Sequence, residues 1–137
     1  MPEVNYLAVV AAAAAAFVLG ALWYSPLMFA RPWMAESGVT LEMIRTDPMV
    51  ARRYSAALIA ALLAAYAMAV LLVTPQHHSL VIGVKRGFAG GVCWIAMSFA
   101  SNYAFERKSV RHWAISAGYY VVQFTVMGAV LGVMNRT

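Results

Sequence analysis

The residues able to do chemistry fall into three small groups. Gln123 stands near the middle of one uncharged stretch, and Ser98, Ser101 and Asn102 stand in another. Amides and hydroxyls among apolar residues bind a ligand, line a watered path or hydrogen-bond a neighbouring helix, the last worth ~0.6 kcal/mol and at most ~2 kcal/mol per bond. Glu106, Arg107, Lys108, Arg111 and His112 form a charged cluster. A carboxylate beside a guanidinium and an imidazole suits acid–base work or anion binding, and suits a salt-bridged loop equally well. The third group is Trp23-Tyr24-Ser25-Pro26, amphipathic rings and a helix breaker at the end of an uncharged run. His77 and His78 are adjacent and cannot face one metal as an i, i+4 pair would. There is no glycine-rich phosphate loop, no cysteine pair and no Ser-His-Asp set. Catalytic residues, metal ligands and cofactors are therefore all expected to be none.

The elements that must position these groups follow from composition. Of 137 residues, 64% are hydrophobic and 11% charged, against roughly 25% charged in soluble domains. Four apolar runs, at about 5–25, 55–74, 81–105 and 112–134, are each long enough to span a bilayer as a helix. The predicted fold class is all-α: a polytopic membrane protein with a four-transmembrane-helix bundle and a short interfacial helix in the first loop, all in one domain. That loop, 26–54, is too long for a simple turn. Phe29, Trp33 and Met34 before Gly38 mark its interfacial helix, whose rings meet either lipid or the bundle. Thr40 fits an N-cap, and Asp47-Pro48 reads as N-cap and first residue of the second spanning helix. The first run lacks a basic flank, having Glu3, and exceeds a signal peptide's apolar core, so it is expected to remain as a helix. Cys93, the single cysteine, lies in an apolar run and reads as a structural thiol.

Basic residues set the expected orientation. The first and third loops hold Arg31, Arg45, Arg52, Arg53, Arg107, Lys108 and Arg111, whereas the other side holds Lys85, Arg86 and Arg136. That asymmetry predicts those two loops in the cytoplasm and both termini outside. The net charge of +5 is thereby accounted for, and with no basic stripe interleaved with aromatics no nucleic-acid partner is expected. No acidic residue lies inside a span, which counts against proton coupling through a buried carboxylate.

Small residues four apart let helix backbones approach. They recur as Ala12, Ala16 and Gly20, as Ala57, Ala61, Ala65 and Ala69, as Gly83, Gly87 and Gly91, and as Gly128 and Gly132. A seam is predicted along Gly87, Gly91, Trp94, Ser98, Ser101 and Phe105. The fourth helix carries two nearly opposite lines, Gly118-Val121-Thr125-Gly128-Gly132 and Ser116-Tyr120-Gln123-Met127-Val130. Contacts on both sides suggest one face within the protomer and one between protomers, hence a homo-oligomer.

Gly20 to Phe29 (GALWYSPLMF) with Trp33-Met34, then Asn102-Tyr103-Ala104-Phe105-Glu106-Arg107, Gly118-Tyr119 and Gly128-Ala129-Val130-Leu131-Gly132, resemble the bacterial membrane proteins grouped as domain of unknown function 1761. The resemblance covers nearly the whole chain, with Lys85-Arg86 as a departure. It implies a small multi-pass protein of the bacterial inner membrane, supplies no activity, and points to Trp23, Tyr24, Ser25, Pro26, Asn102 and Glu106. The first and third helices leave the membrane on one side at these residues, so a vestibule is expected where Tyr24 or Ser25 approaches Asn102 and Glu106. The expected function is transport or channel-like, or binding of a small-molecule or lipid ligand in the bilayer. The alternatives are an accessory subunit of a membrane complex and an intramembrane enzyme on a lipid-like substrate. Ligand or pathway candidates are Trp23, Tyr24, Ser25, Ser98, Asn102, Glu106 and Gln123. Helix-packing candidates are Gly20, Gly87, Gly91, Gly118, Gly128 and Gly132.

Overall fold

The computed structural model describes residues 3–136. Among them the α-helices are α1 (Tyr6–Trp23), α2 (Ala30–Ser37), α3 (Leu41–Arg45), α4 (Val50–Leu71), α5 (Leu80–Phe105) and α6 (Val110–Met134). α1, α4, α5 and α6 are long and apolar enough to cross a membrane. Their outward faces carry exposed Leu7, Val18, Leu63, Leu71 and Val81, a surface that hydrocarbon rather than water would solvate. The protein is thus an all-α, four-span membrane protein with two short helices, α2 and α3, in its first loop.

Local chemistry sets the helix ends. Side-chain oxygens of Asn5, Ser79 and Ser109 accept the backbone N–H groups of Ala8, Ile82 and His112 at 3.2, 3.1 and 3.0 Å, capping α1, α5 and α6. Thr40 caps α3 through Met43 N–H at 3.1 Å, as its sequence context predicts. Asp47 and Pro48 do otherwise. The Asp47 carboxylate accepts Met49 N–H at 3.0 Å and holds a turn, so α4 starts only at Val50. Gly38 ends α2 at φ 76°, a left-handed position suited to glycine. At the end of α5 that position falls to Arg107, at φ 57°. Lys108 N–H reaches Tyr103 C=O at 2.9 Å and Arg107 N–H reaches Ala104 C=O at 3.2 Å, the paired bonds of a Schellman cap.

Among the described residues the spanning helices pack in the order α4, α1, α6, α5, with no packed interface closing α5 onto α4. Alanine stripes join α1 to α4: Ala8, Ala12 and Ala16 meet Ala61, Ala65 and Ala69, all buried. Glycines join α5 to α6. A Cβ on Gly83 would run into the carbonyl of Gly128, one on Gly87 into Phe124 C=O, and one on Gly132 into Ser79 C=O. At Gly91 it would lie 2.8 Å from Val121 Cα. Gly20 and Gly118 serve differently, leaving room for the Tyr119 and Trp23 rings rather than for backbone.

Both lines of α6 are occupied within one chain. Gly128 and Gly132 take α5, while Gln123 and Met127 are buried on the side of α1 and α4. The two lines therefore do not by themselves call for a second copy. The seam predicted on α5 breaks after Gly91. Residues Gly91–Ala96 take π-helical spacing, and the wider turn rotates the remainder of the helix about its axis. Trp94 and Phe105 are left 59% and 90% exposed, with Ser98 and Ser101 also outward. Ala96, Phe99 and Tyr103 turn inward instead.

Candidate functional site

Where α4 and α5 part, the bundle holds a half-open cavity of about 630 Å³. α1 contributes Ala16, Phe17 and Gly20, and α4 contributes Tyr54, Ala57, Ala60, Ala61 and Ala64. Ile95 and Phe99 come from α5, Tyr119, Tyr120, Gln123 and Phe124 from α6, and Tyr24 from the turn after α1. The alanine interface explains the opening. Ala61, Ala65 and Ala69 are buried against α1, but from Val50 to Ala60 every residue of α4 is exposed. On the facing side, the segment of α5 that begins with the π turn contributes Ile95 and Phe99 to the cavity wall. The cavity is blind: beyond Gln123, the side chains of Ala12, Ala65, Met68, Met127 and Leu131 fill the core at 2% exposure or less.

Gln123 is the polar group deepest in this site. It is 5% exposed and lies about 20 Å along α6 from its start, near mid-membrane. Its amide Nε2 donates weakly to Met127 Sδ at 3.5 Å, and the rest of its hydrogen-bonding capacity is open to the cavity it lines. Among the described residues, no charged side chain lines the cavity.

An aromatic arc forms the wall toward the first and third loops. Ring centroids step from Trp33 to Tyr24 (5.6 Å), Tyr119 (5.4 Å), Tyr120 (5.0 Å), Phe99 (5.3 Å), Tyr103 (5.6 Å) and His112 (5.1 Å). These are ordinary offset or edge-on aromatic separations. Tyr119 Oη donates to Ala16 C=O at 3.1 Å and Trp23 Nε1 to Ile115 C=O at 3.1 Å, fixing α1 against α6. Trp113 Nε1 donates to Ala96 C=O at 2.9 Å, at the end of the π segment. α2 closes this end of the bundle: Trp33 meets Tyr24 edge-on, Phe29 packs on Trp23 at 4.6 Å, and Ser109 Oγ donates to Glu36 Oε2 at 2.5 Å. Of the two surroundings open to these rings, the bundle is the one they meet.

The predicted site residues divide accordingly. Tyr24 and Gln123 line the cavity, and Trp23 braces its α1 wall. Ser25 Oγ donates to Leu22 C=O at 2.6 Å, and Ser98 Oγ donates to Trp94 C=O at 2.5 Å on the outward face. Both hydroxyls are satisfied by their own helices. Asn102 Nδ2 donates to Glu106 Oε1 at 3.5 Å, and Glu106 pairs with Lys108 at 2.8 Å. The Lys108 ammonium beside it holds the exposed Glu106 carboxyl below its ordinary range, and Glu106 in turn holds the Lys108 amine above its own. Lys108 also lies 4.4 Å from the centre of the Tyr103 ring. Tyr24 and Ser25 make no hydrogen bond to Asn102 or Glu106 among the described residues; the aromatic arc joins the two exits instead. Cys93 is exposed. Among the described residues, no three His, Cys, Asp or Glu side chains converge as metal ligands.

Three features escape the sequence reading. Glu36 is the partner of Ser109, and Arg111 lies 3.9 Å from its other oxygen. Arg86, one of the departing basic pair, donates to Leu72 C=O at the end of α4. At the termini end, Asn135 is fully buried, donating to Ala69 and Val73 C=O at 3.2 and 2.7 Å and accepting Asn5 N–H at 3.1 Å. Asn5 and Asn135 flank apolar runs, and nothing in their spacing pairs them across the chain.

No curated protein and no solved structure matches this chain. One family model does, over residues 7–132 and so nearly all of it. The chain belongs to the family described as Protein of unknown function (DUF1761).

Proposed function

We propose that this protein binds a small membrane-soluble molecule in the cavity between α1, α4, α5 and α6. The observation that carries this reading is a cavity of about 630 Å³, walled by aromatic and alanine side chains, with the buried amide of Gln123 at its inner end. Such a volume with few convergent polar groups is typical of ligand sites. The blind inner end supports binding rather than a path through one copy of the chain. Glu106 and His112, the acid–base candidates, are absent from the cavity lining; Glu106 is committed to Lys108 and His112 packs on Tyr103. By the distribution of basic residues, the cavity opens in the cytoplasmic half of the membrane, with both termini outside.

The test is a filled cavity. Ala57 is exposed and lines the site, so Ala57→Trp occupies the space without entering the packed core. Wild-type protein purified in mild detergent should carry an extractable lipophile near one per chain by mass spectrometry, and Ala57→Trp should lose it. Identical extracts from the two proteins would refute the reading. The outward line Trp94, Ser98, Ser101 and Phe105 favours a second reading, in which the protein also packs against another membrane chain, its own or a different one. Cross-linking in native membranes tests it, and wild-type protein recovered only as a monomer, with no partner chain, would contradict it.

A further inference from the structure

The chemistry of the cavity narrows its occupant. This inference rests on the binding role proposed above. We propose that the ligand is an uncharged lipid with a flat, carbonyl-bearing head, the chemistry of a quinone, which slides in from the bilayer between α4 and α5 and is read by Gln123.

Three observations converge on that class. The first is depth and charge. Gln123 sits near mid-membrane in a cavity without a charged side chain among the described residues, and an ionised head there would lack any counter-charge and meet a large desolvation cost. A phosphate or carboxylate head is thereby disfavoured. The second is donor capacity. Gln123 brings two amide N–H groups and uses one of them weakly, on a sulfur at 3.5 Å. A ligand carbonyl is the natural acceptor, because a donor left unmet in a dry interior is costly. The third is shape. Phe99, Tyr119, Tyr120 and Phe124 line the same cavity as the amide, and aromatic faces and edges favour a flat ring over a branched glycerol ester.

The fold sets the route. α4 and α5 meet near their shared turn, where Arg86 reaches Leu72 C=O, and make no packed interface along the rest of their length. Tyr54 and Ala57 on one side and Ile95 and Phe99 on the other form the lips of the gap. An apolar tail can leave through it into hydrocarbon without crossing a polar surface.

The experiment titrates detergent-purified wild type, Gln123→Leu and Ala57→Trp with three probes: decyl-benzoquinone, decanoate and decanol, counting bound probe by native mass spectrometry. Gln123→Met serves as a second variant should the leucine protein lose its elution profile or helical content. The proposal expects the quinone to bind wild type best, to lose about tenfold in affinity on Gln123→Leu, and to be excluded by Ala57→Trp. Decanoate or decanol bound as tightly as the quinone, and blocked by Ala57→Trp, would overturn the uncharged ring head while leaving the binding cavity standing. Quinone affinity unchanged in Gln123→Leu or Gln123→Met would overturn the role of the amide. No probe held better by wild type than by Ala57→Trp would overturn both this inference and the binding role beneath it.

Discussion

Asn135 makes the sharpest stability prediction. Its side chain is fully buried and makes three hydrogen bonds: two donations, to Ala69 and Val73 C=O, and one acceptance, from Asn5 N–H. It thereby satisfies carbonyls at the C-terminal end of α4 that the helix cannot satisfy itself, and ties them to the start of α1. Asn135→Leu keeps the count and branching of side-chain heavy atoms, in a somewhat larger group, and removes all three bonds. At ~0.6 kcal/mol per bond in a membrane protein the direct loss is ~2 kcal/mol. Stranding a buried carbonyl adds ~1 kcal/mol or more, so the expected destabilisation is about 3 kcal/mol. Asn135→Asp should cost more than Asn135→Leu, because it turns the two donations into a carboxylate facing carbonyls at the negative end of the α4 dipole. The assay is reversible unfolding in mixed micelles with rising dodecyl sulfate, monitored by helical circular dichroism. A loss below about 0.5 kcal/mol for Asn135→Leu, or an aspartate variant as stable as wild type, would refute the clasp.

Two further substitutions test the packing in the same assay. Gly87→Ala places its Cβ against Phe124 C=O, where only backbone can give, and should cost about 2–3 kcal/mol. Gly118→Ala meets only the Trp23 ring, at 3.5 Å, and should stay within about 0.5 kcal/mol or gain slightly from helix propensity; equal costs would contradict the assignment of α5 and α6 as the glycine-packed pair. Arg107→Gly should raise stability by about 1 kcal/mol by relieving the left-handed backbone at φ 57°. A lower midpoint would mean that the arginine side chain matters more than its backbone.

Much of this arrangement is legible in the residues. The four spans, the Gly83-Gly87-Gly91 and Gly128-Gly132 stripes and the placing of Gln123 away from lipid come from apolar length, four-residue spacing and the cost of an amide in hydrocarbon. Expectations fail where they depend on a local break in period. Gly90-Gly91 hides a π segment, and a strict helical count carried past it puts Trp94, Ser98 and Phe105 on the wrong face. The vestibule expected between Tyr24 and Glu106 assumes that residues at one depth touch, whereas Lys108 already occupies Glu106 and a row of rings fills the interval. Asn135 and Glu36 are invisible because their partners lie 66 and 73 residues away, a distance no periodicity encodes.

A structure determined directly in native lipid tests the proposed binding role most simply. It should show non-protein density within the cavity, against Gln123 and the Tyr119–Tyr120 rings, continuing outward between α4 and α5. A cavity closed by α4 packing onto α5 from Tyr54 to Ala64, with no such density, would contradict it.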